Sequence, residues 1–195
     1  MRNDYAELIE LAAKERQYRV TLQMDKLASL YFGDATITTS WSGGSAGTYF
    51  KVGAKRKGVP GHPIVNRTGT PVIHLHNDRA LIELPSTTTR WIQINGEEAV
   101  LSSYMRLVFR CEYRDGKWGF VNMASVNEGD TIEPVIPGTD LKIKWEDISG
   151  FRHSYRYLAY MEHLKGNELP QDLLGIDREE ELQKFYEEAF AWIEE

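Results

Sequence analysis

The central part of the chain alternates apolar and polar residues with a period of two, which is typical of β-strands. Three turn dipeptides divide this stretch into four runs: Asn77-Asp78, Asn95-Gly96 and Asp115-Gly116. Asn-Gly and Asp-Gly favour two-residue hairpins, because the central residues of a type I′ turn need positive φ. The pattern therefore predicts an antiparallel meander of four long strands, over 62–76, 79–94, 98–114 and 117–127. Strands of this length must bend, and we expect bulges at 69–71 and 85–86.

The alternation also gives each predicted strand two faces. In the third strand, Phe109 and Cys111 lie on the apolar face, whereas Arg106 and Arg110 lie on the other. We expect the first two residues to be buried and the two arginines to be exposed or at an interface. Hairpin pairing adds these residues to the apolar face: Ile82, Leu84, Ser86, Thr88, Arg90 and Ile92, then Trp118, Phe120, Asn122, Ala124 and Val126. The polar interruptions of the face are candidate ligand contacts: Thr88, Arg90, Ser103 and Asn122.

Helical spacing flanks the meander on both sides. Residues 4–31 are predicted to form one long helix, which Asp4 and Glu7 begin with a capping box and which Gly33 ends. A strand is expected over 35–41 and a short helix between 42 and 58. The acidic, Pro-containing stretch 128–137 indicates a rim loop. Further helices are expected within 145–165 and after Asp177.

The composition favours one domain. The chain has 195 residues, of which 42% are hydrophobic, and this is enough apolar material for a single core. We expect one domain over residues 1–195, with a core at 1–130 and a helical extension at 131–195.

Net charge and cysteine content limit the binding partners and the location that we expect for this protein. The net charge is -6, which disfavours nucleic acid and anionic membranes. Cys111 is the only cysteine, so an intramolecular disulfide is excluded. The N-terminus lacks the apolar segment of a signal peptide, and the chain has no apolar stretch of bilayer length. We therefore expect a cytoplasmic protein with no membrane or nucleic-acid partner.

Three segments, together with the order of the predicted elements, carry a family resemblance: MDKLASLYFGDATI at 24–37, NDRALIEL at 77–84 and SYMRLVFRCEYRDGKWGFV at 103–121. They resemble the SnoaL-like branch of the nuclear transport factor 2-like superfamily. The stretch 151–177 resembles the C-terminal extension of an uncharacterised bacterial and fungal subgroup. The resemblance implies an α+β fold: a cone-shaped barrel in which a strongly bent antiparallel sheet packs on a long N-terminal helix around a ligand pocket. Proteins that it resembles include scytalone dehydratase, ketosteroid isomerases, polyketide cyclases and binding modules.

The resemblance also implies candidate catalytic residues. Dehydratases of this fold use a histidine on the first meander strand, assisted by a tyrosine and an acidic residue on the first helix. Tyr18 matches the tyrosine, whereas Gln23 stands at the acidic position with Asp25 two residues further on. Asn66 stands at the histidine position of the pattern H-x-x-G, and His62 precedes it on the same predicted strand. Either His62 and Asp25 replace the family pair after a small register shift, or the pair is absent.

Two functions fit these residues. The first is a dehydratase- or cyclase-like lyase or isomerase, which moves a proton next to the carbonyl of a small hydrophobic metabolite without a cofactor. His62 is then the catalytic base, Tyr18 and Asn122 are hydrogen-bond donors, and Arg90 anchors a carboxylate or enolate. The second is a non-catalytic protein that binds a small ligand in the same pocket. The remaining predicted substrate contacts are Gln23, Trp41, Asn66 and Phe109.

Three alternatives concern individual residues. Arg90 is also suited to a salt bridge with Asp25, Glu15 or a carboxylate of the C-terminal helix, and a bulge at Pro85 would instead turn it outward and Trp91 inward. His74 and His76 place two imidazoles on one strand face, as metal sites do, but a third ligand is not evident, so no metal is expected. The other sheet face carries more apolar side chains than a solvated face needs, which predicts a homo-oligomer, most simply a dimer. These side chains are Tyr104, Val108, Val121 and Met123.

Overall fold

The computed structural model describes residues 3–40, 42–55 and 64–195 and has an α+β architecture. The strands are β1 (Tyr31–Thr39), β2 (Ser42–Ser45), β3 (Val65–Thr68), β4 (Val72–His76), β5 (Arg79–Ile94), β6 (Glu97–Arg114) and β7 (Lys117–Pro134). The helices are α1 (Asp4–Val20), α2 (Met24–Ala28), α3 (Ala46–Gly53), α4 (Trp145–Ile148), α5 (Arg156–Leu164) and α6 (Glu179–Glu194). A single 3-10 turn, His153–Tyr155, leads into α5.

One curved, unclosed sheet contains all seven strands, in the order β2-β1-β7-β6-β5-β3, and β4 also pairs with β5. This arrangement confirms the predicted fold class. All pairs are antiparallel except β1 with β7, in which Thr36 lies opposite Asn122 in a parallel register. Because the whole meander separates these two strands along the chain, no hairpin turn imposes an antiparallel direction on them.

The meander has the predicted turns but different strand limits. Asn77, Asn95 and Asp115 all have positive φ, as two-residue hairpins require. The bulge predicted at 69–71 is present as an interruption that separates β3 from β4. The bulge predicted at 85–86 is absent from the pairing of β5 with β6, which runs through Pro85 without a register shift. The rim loop predicted at 128–137 is wrong, because β7 continues to Pro134. A bulge near Gly129 (φ 150°) lets the strand bend there without ending, and the expected domain division at residue 130 falls inside this strand.

The N-terminal helix is shorter than the helix predicted over 4–31. It ends at Val20, and Leu22 has a positive φ of 57°, which interrupts the helical path before α2. Asn3 caps α1, since its side chain accepts a hydrogen bond from the Ala6 N–H, at 3.4 Å. Asp4 instead accepts a hydrogen bond from Trp118 Nε1 at 2.8 Å, which attaches the start of the helix to the sheet. Gly33 lies within β1 and does not end a helix.

The two faces of the sheet are covered by different helices, and we call them the α1 face and the α6 face. Phe109 and Cys111 are fully buried on the α1 face, as predicted, in one cluster with residues of α1. On the α6 face, Val108 packs with Leu81, Val126, Ala189 and Ile193. The sheet therefore has apolar side chains on both faces along its centre.

Helix α6 also changes the surface on which the dimer prediction rests. Val108 is buried beneath this helix, and Met123 lies on the α1 face, so neither contributes to an exposed patch. Arg106 is half-buried and donates a hydrogen bond to the Tyr186 hydroxyl of α6, at 2.8 Å. Arg110 lies over the Trp192 ring, 5.5 Å from its centre. Both arginines thus lie at the interface between the sheet and α6 within this chain. The homodimer stays a prediction.

Candidate functional site

The α1 face carries two separate apolar clusters. The first, the α1 cluster, lies under α1 and includes Leu8, Leu11, Leu84, Leu107 and Phe109. The second, the extension cluster, lies under the segment that follows β7 and includes Ile92, Ile94, Ala99, Leu101, Tyr155 and Leu158. Since β5 and β6 pair without a register shift, both clusters lie on the same side of these two strands. A stretch of the face between the clusters is polar.

Four polar residues cross the sheet in this stretch, one on each of four neighbouring strands. Asn66 lies opposite Thr88, Thr88 opposite Ser103, and Ser103 opposite Asp130. We call these four residues the polar row. Polar groups between two apolar surfaces are the usual lining of a small-molecule site, in which few polar groups orient an otherwise apolar ligand. The polar row is therefore the candidate functional site.

One end of the polar row is held by hydrogen bonds. Asn66 donates through Nδ2 to Thr88 Oγ1 at 2.7 Å, and its Oδ1 accepts a hydrogen bond from Ser86 Oγ at 3.0 Å. These bonds fix the orientation of the Asn66 amide. The predicted substrate contact Asn66 thus lies on the α1 face within this network.

The other end of the row has open hydrogen-bonding capacity. Ser103 is 5% exposed, and its Oγ has no hydrogen-bond partner among the described residues. The same holds for Asp130 Oδ1, whereas Oδ2 accepts a hydrogen bond from the backbone N–H of Leu158 at 2.7 Å. Burial raises the pKa of Asp130, and the N–H groups of Leu158 and Tyr157 partly oppose this. Buried polar atoms without partners are uncommon, so these two oxygens mark a place where a further molecule is expected.

Arg90 lies next to the polar row. It is half-buried on the predicted face of β5, two positions from Thr88 and opposite Leu101. Among the predicted salt-bridge partners of Arg90, Glu15 is paired with Arg16, and Asp25 is exposed on α2. The C-terminal helix α6 packs on the other face of the sheet. Arg90 thus lies at the border between the row and the extension cluster.

A buried ionic group under α1 was not predicted. Glu15 is fully buried and pairs with Arg16, and its Oε1 accepts a hydrogen bond from the Tyr31 hydroxyl at 3.0 Å. Burial lowers the pKa of Arg16, but the nearby Glu15 carboxylate raises it, and the net result is a raised pKa. Burial and the same carboxylate raise the pKa of Tyr31. Because each charge has a close partner, this group is best suited to fixing α1 on the sheet.

The remaining helix candidates lie at the periphery. Tyr18 packs against the α1 cluster, and Lys26 lies over its ring, 5.7 Å from the centre. Gln23 accepts a hydrogen bond from Lys26 Nζ at 2.8 Å and donates one to Thr21. Asp25 is exposed. None of these three side chains hydrogen-bonds to the polar row in the described part of the chain, and their roles stay predictions.

Asn122 lies on the α6 face, so its predicted position on the apolar face with Phe109 is wrong. The register between β6 and β7 shifts after the Cys111–Phe120 pair, and Asn122 consequently lies opposite Arg110. Its Nδ2 donates to Thr36 Oγ1 of β1 at 2.9 Å. The bulge reverses the facing of this part of β7, so Ala124 and Val126 are also reversed.

Three predicted residues concern the base and the pocket wall. His62 and Trp41 lie outside the described residues, and their roles stay predictions. Phe109 stacks on Phe120 with ring centres 4.6 Å apart, as part of the α1 cluster.

The His74–His76 pair is engaged with other groups. His74 Nε2 lies 3.0 Å from Glu83 Oε1, and His76 Nδ1 lies 3.0 Å from the Ile193 carbonyl oxygen of α6. Within 3–40, 42–55 and 64–195, no group of three His, Cys, Asp or Glu side chains is arranged to hold a metal ion. In the same ranges, no helix has the length and apolar character needed to cross a bilayer.

Comparison with known proteins places the chain in a family. No family model matches it. The uncharacterized protein AN9274 of Emericella nidulans is 30% identical over 181 residues, which cover 89% of this chain and 76% of that protein. This chain belongs to the AN9274 family. Pea pathogenicity protein 2 of Fusarium vanettenii is 26% identical, and the PEP2-like protein NECHADRAFT_97050 of the same organism is 27% identical. Each alignment covers 96% of this chain and 84% of the other.

Solved structures show the fold of this family member. The hexachlorocyclohexane dehydrochlorinase LinA type 2 superposes with a TM-score of 0.58 at 14% identity, over 72% of this chain and 95% of that one. A scytalone dehydratase candidate from Novosphingobium aromaticivorans gives 0.55 at 13% identity, over 70% and 95%. The chain therefore has the nuclear transport factor 2-like fold that its sequence resembles.

Proposed function

We propose that the AN9274 family member is a lyase or isomerase that acts by proton transfer on a small, mostly apolar molecule bound to its α1 face. The polar row between two apolar clusters carries this proposal. The α1 and extension clusters contact the carbon skeleton, and the row orients the polar groups. LinA type 2 is a dehydrochlorinase and shares the fold, which is consistent with elimination chemistry on this scaffold.

The reaction needs a base and a group that stabilises the developing oxyanion. A base removes a proton from a carbon next to a carbonyl, and the electrons move to the carbonyl oxygen. Thr88 accepts a hydrogen bond from Asn66, which leaves the Thr88 O–H to donate to that oxygen. Arg90 is the cation closest in sequence to this position on β5. His62 is the proposed base, on sequence grounds alone.

The location of the activity is testable with the probe 5-nitrobenzisoxazole. A base that removes its C–H proton breaks the N–O bond and releases a coloured cyanonitrophenolate. Thr88→Tyr fills the polar row and should abolish this turnover. The matched control is Thr87→Tyr, because Thr87 lies on the α6 face opposite Tyr104. Equal turnover in the two variants would place the chemistry elsewhere and contradict the proposal.

A non-catalytic binding protein is the second candidate. One observation favours it: none of the described histidines is buried at the polar row, although the charge of His153 lowers the pKa of Asp130. His74 and His76 contact α6, and His153 and His163 are exposed. If His62 is the base, His62→Ala should lower turnover by about 10²–10⁴-fold with ligand affinity retained. If the protein only binds, wild type should show no turnover above the Thr88→Tyr background, and His62→Ala should behave as wild type.

A further inference from the structure

Ser103 and Asp130 form a directly opposed pair on β6 and β7. Residues paired in this way have Cβ atoms about 4.5–5.5 Å apart. Ser103 Oγ and Asp130 Oδ1 are both buried and have no hydrogen-bond partner in the described part of the chain. One of these atoms belongs to a hydroxyl, which donates and accepts, and the other belongs to a carboxyl group. The pair therefore offers a donor and an acceptor within reach of one small polar group.

The helical extension holds this pair in place. Leu158, near the start of α5, donates its backbone N–H to Asp130 Oδ2. This bond opposes the burial that raises the pKa of Asp130, and it occupies Oδ2, so Oδ1 is the oxygen left to accept a hydrogen bond. Leu158 also belongs to the extension cluster, which continues on the same face through Leu101. A ligand at this pair would thus meet apolar surface on one side.

We propose that Ser103 and Asp130 form a subsite that binds a ligand hydroxyl group. The hydroxyl donates to Asp130 Oδ1 and accepts from Ser103 Oγ, so it satisfies both buried atoms at once. A carbonyl or an ether only accepts, and an ammonium group only donates. The ligand class is therefore an alcohol with an apolar skeleton. This inference rests on the proposed function only in placing the ligand on the α1 face, since it needs no catalytic step.

The test compares three probes of similar size by isothermal titration: cyclohexanol, methoxycyclohexane and cyclohexanone. Cyclohexanol should bind most tightly, by roughly tenfold or more, because only it both donates and accepts. Asp130→Asn keeps an oxygen for the Leu158 N–H and places an amide donor at Oδ1. In this variant both groups of the subsite can donate to an ether oxygen. The preference of wild type for cyclohexanol over methoxycyclohexane should therefore be lost.

A serine pair supplies the matched control. Ser103→Ala should weaken cyclohexanol binding, whereas Ser102→Ala should leave it unchanged, because Ser102 lies on the α6 face and its Oγ contacts Thr89 Oγ1 at 3.1 Å. Thermal melting of each variant identifies any loss of folding. The relative affinity of wild type for the three probes is a separate test, because it does not depend on the folding of any variant.

Two results would overturn the subsite. Tightest binding of cyclohexanone would show that Asp130 is protonated and donates. Equal binding of the three probes in wild type would show that the pair holds a structural water and no ligand hydroxyl. Failure of the proposed function is distinguishable, because 5-nitrobenzisoxazole turnover would then be absent while the preference for cyclohexanol persisted.

Discussion

Met123 lies directly opposite Phe109 on the α1 face, in the place that uninterrupted alternation would give to Asn122. The Met123 sulfur lies 3.5 Å from the Tyr31 hydroxyl and 3.8 Å from an Arg16 Nη. A single bulge residue in β7 therefore places the thioether of Met123, and not the amide of Asn122, beside the buried group of Glu15, Arg16 and Tyr31.

The bulge predicts that Asn122 has no part in ligand binding. Asn122→Ala should leave probe affinity and turnover within about twofold of wild type. It should cost roughly 1 kcal/mol of stability, because the hydrogen bond to Thr36 is lost. Titration and chemical denaturation measure the two effects. A loss of affinity comparable to that of Ser103→Ala would contradict the assigned register.

Removal of the Glu15 charge should destabilise the fold strongly. Glu15→Gln leaves the Arg16 guanidinium buried without a counter-charge, and breaking a buried pair in this way costs about 3–5 kcal/mol. Glu10→Gln is the control on the same helix, since Glu10 is largely exposed and pairs with Lys14 on the surface. Urea denaturation should show a much lower midpoint for Glu15→Gln and almost no change for Glu10→Gln.

The contact between Arg152 and Asp177 predicts a pH dependence. Burial alone raises the pKa of Asp177, but hydrogen bonds from Arg152 and Ser154 dominate and lower it to about 2. A carboxyl group with a depressed pKa stabilises the fold above its ordinary value of 3.8, and this stabilisation is lost as the pH falls toward 2. Asp177→Asn should cost about 1–2 kcal/mol at pH 6, after allowance for partial exposure, and much less near pH 2.

Melting temperatures of wild type and Asp177→Asn between pH 6 and pH 2 provide the measurement. Asp172→Asn is the control, because Asp172 is exposed. A difference between wild type and Asp177→Asn that stayed constant across this range would show that the Arg152 contact does not depend on the carboxylate charge.

Helix α6 should contribute strongly to stability through Ile193. This side chain is 3% exposed in the cluster on the α6 face, and truncation of a buried Ile to Ala costs about 2–5 kcal/mol. Ile176→Ala is the matched control, because Ile176 is 46% exposed. Equal effects of the two substitutions in denaturation experiments would show that α6 does not pack on the sheet as described.

Local signals were sufficient to predict the meander and part of the site. The turn dipeptides fix the hairpins, and strict pairing from Asn95-Gly96 places Thr88, Arg90 and Ser103 on the α1 face. These residues stand out in the sequence because they interrupt an apolar pattern. Their facing depends only on a register that one turn determines.

Other parts of the site depend on contacts that no local pattern encodes. Asp130 falls in a stretch whose composition indicates a loop, and its partner Leu158 lies 28 residues away in the extension. Glu15 pairs with Tyr31, which the periodicity placed in the same helix and the structure places in β1. The sequence has no glycine or proline at the bulge before Asn122, so no local pattern indicates it. Each of these features arises from packing between distant segments.

Helix α6 follows β5, β6 and β7 along the chain, and this order has a consequence during synthesis. The ribosome completes β5, β6 and β7 before α6 emerges, so Leu81, Val108 and Val126 remain uncovered in the nascent protein. An uncovered apolar strip on adjacent strands is a site for chaperone contact or for association between nascent chains. Slow translation of residues 135–178 would therefore lengthen the period in which this chain is most prone to aggregate.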